Sequence, residues 1–185
     1  MSGSRTPRLT RTANLLGALA LAIVDRTSEA IAESGPGDSA AAALSALHHF
    51  LDGPSVELLS RVLGLTHSGT VRLVDRLERS GYVRRETGED GRSTSLRLTA
   101  AGRRAAERTA GARAEVLEGV LSVLPARDRA ALEGILSELL VGMMRGPGAV
   151  KWICRMCDTQ TCRRDDGCPF ARAAGRPPSS SEQLG

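Results

Sequence analysis

The chain has 185 residues, 41% of them hydrophobic, enough to give one domain a real core with room for an appendage. Its net charge of +4 is carried almost wholly by arginine, because Lys151 is the sole lysine, and arginine suits recognition of phosphate and guanine. Aromatic residues make up only 2%, too few rings for a platform that stacks single-stranded bases.

Residues 1–9 combine Ser, Gly, Arg and Pro without apolar periodicity and read as a disordered tail. A helix is predicted over 10–33, with Leu15, Leu16, Leu19, Ile23 and Ile31 on its apolar side and Ser34-Gly35-Pro36-Gly37 ending it. The apolar run 15–24 inside it is too short to span a bilayer, so neither a membrane segment nor a signal peptide is expected and the chain is placed in the cytoplasm. The apolar face is wider than a lone surface helix needs, which points to packing against a second subunit. Asp38 or Ser39 is positioned to cap a second helix over 40–51, broken by Asp52-Gly53-Pro54. Ser55 then caps a third over 56–63 that buries Val56, Leu59 and Val62 or Leu63.

Gly64-Leu65 leads into a fourth helix opening at Thr66. Thr70, Leu73, Val74 and Leu77 fall on one face at the spacing of a buried stripe, while Ser68, Arg72, Asp75, Arg76 and Arg79 fall on the other. That second face carries groups that hydrogen-bond phosphates and base edges, and Val71 beside it suits a thymine methyl. Two short helices joined by a tight Gly-containing turn form a helix-turn-helix, with the second helix as the reader. Ser80-Gly81 closes the reader. A basic segment follows through Arg84 and Arg85, a turn at 88–91, and a returning strand at 92–98 that alternates Thr94, Leu96 and Leu98 with Ser93, Ser95 and Arg97. This hairpin makes a wing whose Arg84, Arg85 and Arg92 reach toward phosphates or the minor groove.

Thr99 caps a long helix over 100–124, and after Pro125 a last one runs over 126–144 with Leu132, Ile135, Leu136, Leu139, Leu140 and Met143 as a continuous buried stripe. The fold class is mainly α with a small β wing: a winged helix-turn-helix with long N- and C-terminal dimerisation helices. A two-fold dimer would present two readers to palindromic double-stranded DNA, about 34–36 Å apart for half-sites one turn apart.

This order of elements, together with Leu63-Gly64-Leu65-Thr66-His67-Ser68-Gly69-Thr70-Val71-Arg72-Leu73-Val74-Asp75-Arg76-Leu77, Gly81-Tyr82-Val83-Arg84-Arg85, Asp90-Gly91-Arg92 and Leu96-Arg97-Leu98-Thr99-Ala100-Ala101-Gly102, resembles the MarR family of bacterial transcriptional regulators over residues 10–145. The resemblance implies a homodimer that represses nearby genes and releases DNA when a small molecule, metal or oxidant arrives. It places DNA contacts at Thr66, Ser68, Val71, Arg72 and Arg76 on the helix and Arg92 on the wing; His67 and Arg84 are candidates beside them. His67 stands where the family often has Pro, and Gly69 where it often has Ser or Thr.

All four cysteines lie in the segment 150–170, as Cys154, Cys157, Cys162 and Cys168, spaced C-x2-C-x4-C-x5-C. In a cytosolic chain such clustering points to metal or redox chemistry rather than structural disulfides. Four thiolates this close suit one tetrahedral Zn²⁺ that lends folding energy to a segment too small for its own core. An iron–sulfur cluster is the rival, since Cys168-Pro169 resembles a ferredoxin-type ending, and a pair of switchable disulfides is the third reading. Arg155, Arg163 and Arg164 beside the thiols favour their ionised form. Residues 171–185 are mostly Ala, Arg, Gly, Pro and Ser and read as a disordered end.

No enzyme signature is present: no His is followed two residues later by Glu, and no phosphate loop or nucleophile elbow occurs. The expected function is therefore a DNA-binding repressor with a zinc site and a small-molecule or redox effector. The alternatives are a redox or iron sensor and, in another class, a metal-dependent module that binds protein or RNA without binding DNA.

Overall fold

Four hydroxyl side chains set where helices begin. Thr10, Ser55, Thr66 and Thr99 accept the backbone N–H groups of Ala13, Leu58, Gly69 and Gly102 at 3.1, 3.1, 3.1 and 3.0 Å. Each satisfies a donor the helix cannot, a contribution of about 1 kcal/mol. In this computed structural model, which describes residues 10–87, 94–144, 149–163 and 168–170, they open α1 (Arg11–Ser34), α3 (Val56–Leu63), α4 (His67–Arg79) and α5 (Ala100–Leu121). The remaining elements are α2 (Asp38–His49), β1 (Val83–Thr87), β2 (Thr94–Leu98), α6 (Ala126–Gly142), α7 (Ala149–Ile153) and α8 (Thr159–Arg163).

Several boundaries differ from expectation. Neither Asp38 nor Ser39 caps α2: the extended Gly37 holds that position without a side-chain bond, and Asp38 lies in the first turn, where its charge opposes the positive helix end. At the other end the amides of Phe50 and Leu51 both turn back to the Ala46 carbonyl, at 3.2 and 2.9 Å, and stop the helix before 51. Helix α5 ends at Leu121 rather than 124: Ser122 is its C-cap, and the Leu124 amide turns back to the Leu121 carbonyl at 3.0 Å ahead of Pro125. Helix α6 stops at Gly142, short of 144. Met143 and Met144 complete its last turn by donating back to Leu139, Leu140 and Val141.

The core forms around α2, whose small Ala43 and Ala46 are wholly buried and let α3, α4 and α5 approach closely. Leu44, Leu59, Leu73, Val74 and Leu96 fill the space between them. The hairpin pairs β1 and β2 antiparallel, Val83 opposite Leu98 and Arg85 opposite Leu96. It is tied to the body twice, by the Leu96 amide donating to the Pro54 carbonyl at 3.0 Å and by Arg97 pairing with Asp52. The start of α5 sits on the same corner. Thr99 donates from its hydroxyl to the Gly81 carbonyl at 2.6 Å and from its amide to the Tyr82 carbonyl at 3.0 Å.

The long helices behave differently from the rest. Along α1 only Ile31 is buried; Leu15, Leu16 and Leu19 face outward and Ile23 is half-buried. Helix α6 buries none of its residues: Leu132 and Leu140 are half-buried, while Ile135, Leu136, Leu139 and Met143 are exposed. The stripe expected to be interior is thus uncovered in the single chain, because no other described element of the protomer closes over it. No described helix is long and apolar enough to cross a membrane.

Candidate nucleic-acid interface

Helix α4 keeps the two faces its periodicity demands. Thr70, Leu73, Val74 and Leu77 are buried, and the Thr70 hydroxyl is satisfied by donating to the Thr66 carbonyl at 3.0 Å. Ser68, Arg72 and Arg76 stand exposed along the opposite side at four-residue spacing, with Val71 half-buried next to them. Among the described residues the guanidinium groups of Arg72 and Arg76 make no hydrogen bond or ion pair, so their donors are available to a ligand. The helix enters from Gly64, which takes the left-handed conformation (φ +66°) that closes α3 and turns the chain. Gly69 also has a packing reason: a Cβ there would stand 3.0 Å from the Thr66 cap oxygen.

Two of the expected contacts are partly engaged within the protein. His67 Nδ1 lies 3.3 Å from the Glu57 carboxylate of α3, both exposed. Thr66 uses its hydroxyl as the helix cap. On the wing, Arg84 pairs with Glu86 at 2.6 Å. Arg92, and with it the expected wing tip, lies outside the described residues.

Arg85 is not a wing-tip group. It turns toward α4, donates to Asp75 at 2.7 Å and pairs with Glu78, and the Asp75 hydrogen bond leads the causes that raise its pKa. Asp75, which periodicity groups with the exposed reading face, serves here to hold β1 against α4. That role rests on a contact ten residues apart that helical spacing does not encode. The available signal is two carboxylates three residues apart at the end of a helix, followed by a turn and a basic strand.

The C-terminal segment docks on the other side of the same turn. Helix α7 packs on α3, and the indole of Trp152 lies so close to Gly64 that a Cβ there would be 3.0 Å from Trp152 Nε1. Cys154 and Cys157 follow on a tight turn closed by the Cys157 amide donating to the Cys154 carbonyl at 2.9 Å. The neighbouring Cys157 thiol foremost, then burial and the other thiols, pushes Cys154 up. The Cys154 thiol in turn, aided by Arg113 of α5 and Arg155 and opposed by burial, holds Cys157 down to about 6. Cys162 is raised, first by burial and then by Cys157 and Cys168.

The four thiols therefore share one neighbourhood, and none is in a disulfide. They are gathered rather than closed: among the described residues no three His, Cys, Asp or Glu side chains stand at coordinating separation. His49 is not a member of the cluster. Its imidazole is 4.0 Å from Asp158, and its pKa is lowered, chiefly by burial. Asp158 instead opens α8, accepting from the Gln160 amide at 2.8 Å and the Thr161 hydroxyl at 2.6 Å. The short helices α7 and α8, and the buried Phe170, have no sequence signal strong enough to predict them.

The family model for the MarR family matches residues 34–93, from the end of α1 into the wing. No curated protein matches the chain. Among solved structures, a MarR family protein from Bacillus stearothermophilus is 28% identical, covering 71% of this chain and 92% of its own, with a TM-score of 0.66. MepR of Staphylococcus aureus, a transcription regulator of the multidrug efflux pump MepA, is 18% identical over 74% of this chain and 100% of its own, with a TM-score of 0.64. MepR solved with DNA is 17% identical over the same shares, with a TM-score of 0.59. These likenesses show the fold over about three-quarters of the chain.

Proposed function

We propose that this chain is a transcriptional regulator of the MarR family, a cytoplasmic, homodimeric repressor that reads a palindromic operator with α4. The observation that carries this reading is the exposed line Ser68, Arg72 and Arg76, whose guanidinium groups have no partner among the described residues, on a helix whose other face is locked in the core. An arginine so placed can grip guanine O6 and N7 with two parallel hydrogen bonds. Thr66 and the helix N-terminus suit a phosphate. The DNA complex of MepR, a protein of the same fold, supports the DNA part of the reading. The uncovered apolar faces of α1 and α6 support the dimer, since a second copy would remove both from water.

The test is selection of duplexes from random-sequence DNA by the full-length protein. A palindromic consensus with steep salt dependence is expected. Arg72→Ala should then weaken binding by about 1–3 kcal/mol and relax the preference at one position in each half-site. Equal weakening on every sequence would make Arg72 a phosphate contact, and failure to retain any duplex would leave the interaction-module reading in its place.

We further propose that Cys154, Cys157, Cys162 and Cys168 hold one Zn²⁺ per chain. The support is the shared neighbourhood of the thiols, the ready ionisation of Cys157, and a donor set that is all thiolate. Elemental analysis of protein purified without oxygen should find one zinc per chain. A brown product with acid-labile sulfide would assign an iron–sulfur cluster instead, and metal-free protein whose thiols pair reversibly would assign a disulfide switch. A small-molecule or redox effector belongs to the same reading.

A further inference from the structure

We propose that ion binding by the four thiols is transmitted to the recognition helix, with Trp152 as the strut between the metal site and the α3–α4 turn. The proposal rests on the metal-site and DNA readings above. One end of the strut is the turn itself. Trp152 covers Gly64, which lies two residues before the Thr66 cap of α4, and the Leu65 amide bonds back to the Ser60 carbonyl at 3.1 Å. So short and internally bonded a connection leaves little slack. A shift of the indole against Gly64 is passed to the N-terminus of α4, where Thr66, Ser68 and Arg72 stand.

The other end is the cysteine turn. The Cys154 amide bonds to the Val150 carbonyl at 2.8 Å, which makes Cys154 a continuation of α7, two residues beyond Trp152. Arg155 binds the same unit twice, donating to the Trp152 carbonyl at 2.7 Å and placing its guanidinium 5.1 Å from the centre of the indole ring. Arg155 and Met156, the two residues between the first cysteines, also wall a cavity of about 360 Å³ together with Ile23 and Ile31 of α1 and Arg113 of α5. Beyond the turn, the Thr159 hydroxyl donates to the His49 carbonyl at 3.1 Å, at the C-terminal end of α2. The segment is therefore fastened to α3 and α2, two of the elements that seat α4.

Ion binding would draw the four thiolates into one tetrahedral shell, a rearrangement of the segment that carries them. That movement acts on a segment fastened to α2 at Thr159 and to the α3–α4 turn at Trp152. The bound site also carries a net negative charge, four thiolates against one divalent ion, and it competes with the indole for Arg155. Both effects change how Trp152 bears on Gly64.

The experiment uses the full-length protein, reduced and metal-free, titrated with ZnCl2. Trp152 is the sole tryptophan, so its emission reports the contact directly. Emission should shift and saturate at one ion per chain, and affinity for the selected duplex should differ between loaded and metal-free protein by about tenfold or more. Trp152→Ala, at a half-exposed position, should still take up zinc but compress that ratio to within about twofold, and Trp152→Phe should restore part of it. Zinc uptake with equal DNA affinity in both forms overturns the coupling and leaves the metal site standing, as does a Trp152→Ala protein that keeps the full ratio. Absence of zinc uptake overturns the site and the coupling with it, and absence of duplex binding by the wild type overturns the DNA reading and with it the coupling.

Discussion

Aspartate at both Ile135 and Leu139 is expected to leave the protein monomeric and to lower its affinity for the proposed palindrome by a factor on the order of 10²–10⁴. In the single chain these side chains are 55% and 46% exposed, and α6 buries nothing. A helix of 17 residues with an apolar stripe and no interior gains its stability when the stripe meets another surface. The exposed leucines of α1 offer the same kind of face at the other end of the sequence. Two carboxylates forced into such a contact would have to be desolvated without partners, which costs several kcal/mol. A lone protomer retains one reader and one half-site, so the loss in DNA affinity measures the effective concentration that dimerisation supplies. Sedimentation and gel shift check the two halves of this expectation. A double variant that stays dimeric, or a monomer that binds the palindrome as tightly as the wild type, would show that α6 does not hold the two readers together.

Gly102→Ala destabilises the fold by about 3 kcal/mol, the upper end for overpacking. A Cβ at Gly102 would fall 1.9 Å from the Tyr82 carbonyl oxygen, a backbone atom that cannot swing away. The same carbonyl accepts from the Thr99 amide, and Thr99 is the cap of α5, so relief of the clash would loosen the corner that joins the wing, α4 and α5. Alanine's better helix propensity returns only about 1 kcal/mol. The melting midpoint should fall by roughly 6–12 °C on that basis. Gly111→Ala, in the same helix with nothing within 4 Å of the added Cβ, is the matched control and should be neutral or slightly stabilising. Equal midpoints for the two variants would mean that α5 can shift away from Tyr82 without cost.

Much of α4 is legible in the sequence. Thr66 as a cap, the buried stripe from Thr70 to Leu77 and the exposed line through Arg72 and Arg76 all follow from residues within two or three turns of one another. The winged topology follows from the turn residues at Gly64 and Gly81 and the alternation around Leu96. The wing's arginines are less legible. Arg84 and Arg85 look equivalent as a sequence, yet Arg84 stays on the hairpin with Glu86 while Arg85 crosses to Asp75 and Glu78. Alternation along a strand says which residue changes sides but not what waits on the other side.

The cysteine segment divides in the same way. Its spacing alone raises the proposal of a thiolate site, because ligands a few residues apart can wrap one ion whatever surrounds them. That Trp152 rests on Gly64 and Thr159 reaches the end of α2, 110 residues earlier in the chain, is decided only by the tertiary structure. So is the uncovered state of α6, whose periodicity is the same whether its stripe meets its own core or a second copy. Capping, periodicity and ligand spacing are local and are written within a turn or two of chain. The partner of an exposed stripe, a crossing arginine or a docked indole depends on which distant segments the collapsed core brings together, and only the packing of the whole chain determines that.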